Sequence, residues 1–244
     1  MLQDKMMNFW KDRATTYGRE NDLEMIVRRK IVDFVNIISQ KEKISVLELG
    51  CGNGRLLKMI NETCGGQVQI TGVDYSSEMI NEARNVGINA TLINDDVAHF
   101  LKVKEGEGEK FDAVIFANTL HNLESKEKIF DALSAAGKVI KPGGYLIFDI
   151  RNSLNPFINF GYRKNRRKGL QFFTLSTFEI KKVIKRIGLR LVDCKPIYYD
   201  NLVSAGKMNK SMIFKALYSG YLLFTRFTLM SPYILVIARK VRIV

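Results

Sequence analysis

Val46-Leu47-Glu48-Leu49-Gly50-Cys51-Gly52-Asn53-Gly54-Arg55 carries a short apolar strand, Ile44 to Leu49, into a glycine-rich turn and a helix from about Arg55. Residues without Cβ let a turn approach a ligand closely, and a turn of this kind after a buried strand marks the ligand end of a doubly wound sheet. The spacing is Gly50-x-Gly52-x-Gly54, unlike the GxGxxG that seats a pyrophosphate on a helix N-terminus. Alone, GxGxG is weak, because loops often need glycine. Its force comes from what surrounds it.

Upstream, apolar residues at helical spacing (Leu23, Ile26, Val27, Ile31, Phe34, Val35, Ile38) predict a helix over 21–39. Downstream, Val68 to Val73 reads as a second strand, followed by the helix-start signal Ser76-Ser77-Glu78. Ala90 to Ile93 reads as a third strand, and the apolar run Phe111 to Phe116 as a fourth, buried on both faces. A helix from about Glu124 to Ile140 is expected to stop at Lys141-Pro142-Gly143-Gly144, before a fifth strand, Tyr145 to Ile150. Alternating strands and helices mean parallel βαβ units with ligand sites at the carboxyl ends of the strands. Asn152 to Gly169 reads as a polar, basic connector. Then come a helix at 176–187, a strand from Leu189 to Tyr198, a long helix at 207–229 and a last strand, Tyr233 to Ala238.

Carboxylates and amides recur at the expected strand ends. Asp74 follows the second strand, where a carboxylate can accept both hydroxyls of a ribose. Asp95-Asp96-Val97 follows the third and Asn118 to Leu123 the fourth. Each alone reads equally well as a capping or turn residue; their succession is the informative feature.

The segments VLELGCGNGRLL, GVDYS, NDDV, FDAVIFANTLHNL and KPGGYLIFDIRN together resemble the motif series of class I S-adenosylmethionine-dependent methyltransferases. The resemblance is to the small-molecule type related to quinone-biosynthesis methyltransferases, specific over about 44–150 and carried by topology alone beyond 170. It implies an α/β, doubly wound, Rossmann-like seven-stranded sheet with its last strand antiparallel and helices on both faces. An N-terminal lid helix and a C-terminal helical insertion would complete one domain over 1–244. Within it, 1–40 would form the N-terminal helices, 44–150 the cofactor-binding core and 151–244 the basic substrate side. The resemblance assigns Gly50, Cys51, Gly52 and Asn53 to the methionine part of S-adenosylmethionine, and Asp74 to its ribose. It also sets Tyr75 against the adenine, Asp96 and Val97 at the adenine edge and the Asn118 backbone at the amino group. The segment Phe9 to Gly18 resembles the lid helix, so Tyr17, and less directly Arg13, is expected at the methionine carboxylate; packing of Trp10 and Tyr17 is the alternative.

Methyl transfer from a sulfonium is an in-line displacement with a good leaving group, so positioning and exclusion of water supply much of the acceleration. A hydroxyl acceptor also needs proton removal. His121, after the fourth strand, is the candidate base, with a structural role as its alternative; His99 reads as helix packing or surface. No metal-binding pattern is present, and three cysteines (Cys51, Cys64, Cys194) without a CxxC pair suggest a reducing, cytoplasmic setting. Met1 to Trp10 has no apolar segment of signal-peptide character.

The expected acceptor is a small molecule, methylated at an oxygen of a metabolite, lipid or glycan precursor. Base-amine methyltransferases carry Asn/Asp-Pro-Pro-aromatic after the fourth strand, where this chain has Ala117-Asn118-Thr119-Leu120. Charge adds a further expectation. Residues 1–150 hold 19 Lys and Arg against 22 Asp and Glu, whereas 151–244 hold 19 against 3. The basic part suits an anionic membrane surface met through 163–168 and 207–229, with peripheral membrane association, or less readily a nucleic acid. In helix 207–229, Lys207, Lys210, Lys215 and Arg226 share one side, and Lys215 and Arg226 interrupt any membrane span. A cap over the substrate pocket and a solvated basic face compete with these readings. RNA methylation and a non-catalytic cofactor-binding module remain as alternative functions, and the glycine spacing disfavours a nicotinamide-dependent reductase.

Overall fold

The computed structural model describes residues 22–167, 171–197 and 230–241. Seven strands form one sheet in the order β3-β2-β1-β4-β5-β7-β6: β1 Ile44–Leu49, β2 Val68–Asp74, β3 Thr91–Asn94, β4 Phe111–Phe116, β5 Ile140–Arg151, β6 Leu189–Ile197 and β7 Tyr233–Lys240. Strands β1 to β5 run parallel to their neighbours among themselves. Strand β7 enters antiparallel between β5 and β6, as the resemblance implies. The chain winds outward from β1 through β2 to β3, then returns to the other side of β1 with β4. That reversal opens the crevice in which doubly wound sheets bind ligands.

Among the described residues seven α-helices accompany the strands: α1 Asp22–Ser39, α2 Arg55–Cys64, α3 Ser77–Asn85, α4 Val97–Glu107, α5 Lys126–Lys138, α6 Pro156–Arg167 and α7 Thr177–Arg186. Both sheet faces are covered, so the central strands are apolar on both sides. Along β4, Ala113 and Ile115 pack with α1 and α2, whereas Val114 and Phe116 pack with α4, α5 and α7. The helix starts follow their caps. The Ser76 hydroxyl accepts from Met79 N at 3.2 Å, and Ser176 with Glu179 forms a capping box on α7.

Two sequence expectations need correction. The stretch 152–169 is not a connector, because Pro156–Arg167 is helical. Asn155 Oδ1 accepts from Phe157 N and Ile158 N, both at 3.0 Å, and Pro156 takes the first helical position, where its missing N–H costs nothing. Second, Lys141-Pro142-Gly143-Gly144 does not precede the fifth strand but lies within it. Ile140 already pairs with Phe111, and a bulge between Phe111 and Ala113 absorbs the irregularity before Ala113 pairs with Tyr145. The expected lid around Tyr17 and the helix 207–229 lie outside the described residues. No helix among the described residues is long and apolar enough to cross a membrane.

Candidate active site

A cavity of about 470 Å³ opens at the carboxyl ends of β1 to β4, a size usual for a small-molecule site. The turn after β1 forms its floor. Gly50 N and Cys51 N both donate to Val73 O, at 2.8 and 3.0 Å, which ties the turn to the end of β2. Gly50 has φ +74°, and a Cβ there would come within 2.6 Å of Thr119 Oγ1 and closer still to its Cγ2. A Cβ on Gly52 would meet only Met79 Sδ, at 4.0 Å, so the turn leaves space beside Gly52, which lines the cavity.

Asp74 closes the turn from below. Its Oδ2 accepts from Gly52 N at 2.8 Å and its Oδ1 from Ser76 N at 2.9 Å. Each oxygen keeps acceptor capacity toward the cavity, as a vicinal diol requires. Burial raises the Asp74 pKa, and these two backbone donors oppose the rise. Beyond β3, Asp96 Oδ1 accepts from Ala98 N and His99 N and so caps α4, while Asp96 and Val97 also line the cavity. Capping and lining are thus combined in one side chain. His99 is exposed and pairs with Asp95 at 2.8 Å.

The turn after β4 forms the opposite wall. Asn118 adopts φ +59°, uncommon for a residue with a side chain. Its N–H donates to buried Asp149 Oδ1 at 2.5 Å, and Asn122 Nδ2 donates to Asn118 O at 3.1 Å. Thr119 Oγ1 donates to Gly50 O at 3.2 Å, joining the two loops.

Gly50, Cys51, Gly52, Asn53, Asp74, Tyr75, Asp96, Val97 and Asn118 all line this one cavity. His121 does not line it. His121 is buried, with Arg151 Nη1 donating to its Nδ1 at 2.7 Å and Phe172 stacked at 5.8 Å between centroids. Burial, then the Arg151 charge, holds its pKa well below the usual imidazole range. Arg151 also faces Glu24 at 3.5 Å and Asp149 at 3.8 Å, and lies 4.4 Å from the Tyr233 ring centroid. The Cys51 thiol is pushed well above its ordinary range by burial and by the nearby Glu48 and Asp74, which disfavours the thiolate. No cluster of three or more His, Cys, Asp or Glu side chains suited to a metal ion occurs among the described residues.

Sequence reasoning missed Arg28, Glu48 and Arg55, which also line the cavity. Arg28 was detectable: at 100° per residue, it and Glu24 fall within the arc of the buried Leu23, Val27, Ile31, Val35 and Val32 on α1. Glu48 was detectable as a carboxylate in a strand otherwise apolar on both faces. It is 2% exposed, and burial, above all, raises its pKa well above the carboxylate range.

Comparison with known proteins agrees with this geometry. A family model described as a methyltransferase domain matches residues 40–186. A probable tRNA methyltransferase 9B of Homo sapiens is 30% identical over 108 residues, covering 44% of this chain and 21% of that protein. A ubiquinone biosynthesis O-methyltransferase of Coxiella burnetii is 26% identical over 208 residues, covering 81% of this chain and 85% of that one. Several of the curated relatives are matched over only 21% to 58% of their own length. The crystal structure of a magnesium protoporphyrin IX methyltransferase from Synechocystis with bound S-adenosylhomocysteine shares the fold. Its TM-score is 0.64 at 14% identity, with 95% of this chain and 93% of that one covered. The family model spans more than half of the chain, and the chain belongs to this methyltransferase-domain family, in its class I S-adenosylmethionine-dependent form.

Proposed function

We propose that this chain transfers a methyl group from S-adenosylmethionine to an oxygen of a small-molecule acceptor, a metabolite or a lipid or glycan precursor. The observation that carries the reading is the single cavity that gathers the glycine turn, Asp74, the Asp96-Val97 pair and Asn118 from four strand ends. Its charge fits the donor. The lining includes Asp74, Asp95, Asp96 and Glu124 against Arg28 and Arg55, an acidic excess suited to a sulfonium and an ammonium accompanied by one carboxylate. In this reading Arg28 and Arg55 take the carboxylate, and the Asn118 turn takes the ammonium. Asp74 holds the ribose diol, Tyr75 covers the adenine, and Asp96 with Val97 meets its edge. Bound there, the sulfonium supplies an electrophilic methyl group; the protein's part is to hold the acceptor oxygen in line and keep water out.

His121 serves this reaction best as a post. An arginine only donates, so the Nδ1 lone pair is taken and the neutral ring keeps its proton on Nε2. Such a ring has no lone pair left for an acceptor proton. It fixes the 3-10 turn Leu120–Asn122, whose His121 O accepts from Phe173 N at 2.9 Å. In His121→Asn, a post predicts a raised acceptor KM with an unchanged pH profile; a base predicts a collapse of kcat and loss of one titration.

RNA methylation is the second reading, favoured by the match to the human tRNA methyltransferase relative and by the basic run 163–168. A S-adenosylhomocysteine-release assay on hydroxylated small molecules and on total tRNA, beside titration calorimetry with S-adenosylhomocysteine, tests both. Turnover only on tRNA would overturn the small-molecule reading, and binding without turnover on any acceptor would leave a cofactor-binding module.

A further inference from the structure

Asn122 ends the 3-10 turn Leu120–Asn122 that follows β4, and its amide is held at one end only. The backbone N–H donates to Thr119 O at 3.0 Å, and Nδ2 donates to Asn118 O at 3.1 Å. A carbonyl oxygen only accepts, so the second bond fixes which end of the amide carries the NH2 and turns Oδ1 the other way. Oδ1 is buried and receives no hydrogen bond among the described residues. A buried acceptor in that state is costly. Asn122 also lines the cavity, where a bound molecule can bring a donor.

S-adenosylmethionine carries hydrogen-bond donors at three places: the adenine amine, the ribose diol and the ammonium. In the reading above, Asp96 after β3 and Asp74 at the end of β2 meet the first two. The turn after β4 stands across from the glycine turn, to which Thr119 Oγ1 joins it through Gly50 O at 3.2 Å. The donor left for that place is the ammonium. The surroundings suit an α-amino acid, whose ammonium and carboxylate share one carbon. Glu24 on α1 is hydrogen-bonded to the Asn118 side chain and also lies near Arg55, which lines the cavity. The amide side of the site and a guanidinium group therefore converge. A hydroxyl of the methyl acceptor is the competing donor.

Resting on the S-adenosylmethionine reading, and whatever the acceptor, we propose that Asn122 Oδ1 accepts a hydrogen bond from the ammonium of S-adenosylmethionine. The Asn122 side chain then recognises the amino-acid end of the cofactor as well as bracing the Asn118 turn.

Titration calorimetry with two ligands tests this. S-adenosylhomocysteine keeps the ammonium, whereas 5′-methylthioadenosine lacks the whole amino-acid end. Asn122→Leu should weaken S-adenosylhomocysteine about 10- to 150-fold and change 5′-methylthioadenosine by less than about twofold. Asn122→Asp separates the two ends of the amide, because it keeps an acceptor oxygen and loses the donor to Asn118 O. It should melt below the parent, yet bind S-adenosylhomocysteine at least about tenfold more tightly than Asn122→Leu. Unchanged S-adenosylhomocysteine affinity in Asn122→Leu would overturn the proposal and assign Oδ1 to the acceptor side. Equal losses for both ligands, or an Asp variant as weak as the Leu variant, would also overturn it and leave Asn122 as a brace alone. A parent protein that binds neither ligand would refute the cofactor reading itself, and the proposal with it.

Discussion

Replacement of Asp74 by Asn tests the cofactor reading at its most constrained atom pair. The carboxylate receives Gly52 N on one oxygen and Ser76 N on the other, with acceptor capacity left on each for a diol. An asparagine keeps one acceptor oxygen and turns an NH2 toward one of those backbone donors. The bound ligand therefore loses one charge-assisted hydrogen bond, about 1.5–3 kcal/mol. At 1.4 kcal/mol per decade the affinity for S-adenosylhomocysteine falls about 10- to 150-fold. Stability should move much less. Burial raises the Asp74 pKa, so removing the charge relieves a desolvation cost that offsets the unsatisfied N–H. The net change in melting temperature should be no more than roughly 2–4 °C, the equivalent of about 1 kcal/mol for a chain of this size. Titration calorimetry and thermal melts on the same preparations read the two quantities separately. An unchanged affinity would remove Asp74 from the ligand site, and a large fall in melting temperature without loss of affinity would make it purely structural.

Three further outcomes follow from the same geometry. Gly50→Ala should lower melting temperature and abolish S-adenosylhomocysteine binding, because the left-handed backbone and the approach to Thr119 both oppose a Cβ; Thr119→Ala in the same chain should recover part of the stability. Glu48→Gln should raise the melting temperature of the ligand-free protein only at high pH. Its folded pKa lies well above the usual carboxylate value, so its protonated form stabilises the fold below the unfolded pKa and that stability is lost as pH rises through the folded one. Melts at roughly pH 5 and pH 9 should show a gap at the higher value alone. Arg151→Met strands Glu24 and Asp149 and should cost about 3–5 kcal/mol, a melting-temperature loss of roughly 10 °C. Arg151→Lys should not rescue it, since a lysine cannot reproduce the planar group over Tyr233 while donating to His121. A loss of under about 2 °C in Arg151→Met would show that the cluster contributes little.

The sheet was legible where burial on both faces leaves a run apolar but for one acid, as in Val46 to Leu49 around Glu48 and Phe111 to Phe116 around Asp112. It was less legible where residue type and local structure disagree. Pro142, Gly143 and Gly144 read as breakers, yet β5 runs through them because its extra residues between Ile140 and Tyr145 bulge out of the ladder while β4 advances only from Phe111 to Ala113. Helix α6 was hidden because its inward residues, such as Ile158 and Tyr162, are few among basic ones, so the apolar periodicity hardly rises above the charge. Its start was still written in Asn155-Pro156, a cap followed by a proline at the first helical position.

The same limit explains the division within the site. Reading residues at strand ends finds side chains that can face a ligand, because the alternation of strand and helix brings those ends together. It does not find the groups that hold them, because holding depends on register between strands. Phe116 pairs with Phe148, so Asn118 and His121, just past β4, come beside Asp149 and Arg151 at the end of β5. Asp149 then fixes the Asn118 N–H and Arg151 fixes His121. A shift of one residue in that pairing would send both charged side chains to the opposite face. It would leave the Asn118 turn without its anchor while every sequence motif stayed intact. The motifs therefore specify the chemistry only through a register that the packing of β4 and β5 between the two helix layers sets, and Asp149 with Arg151 carries that register into the site.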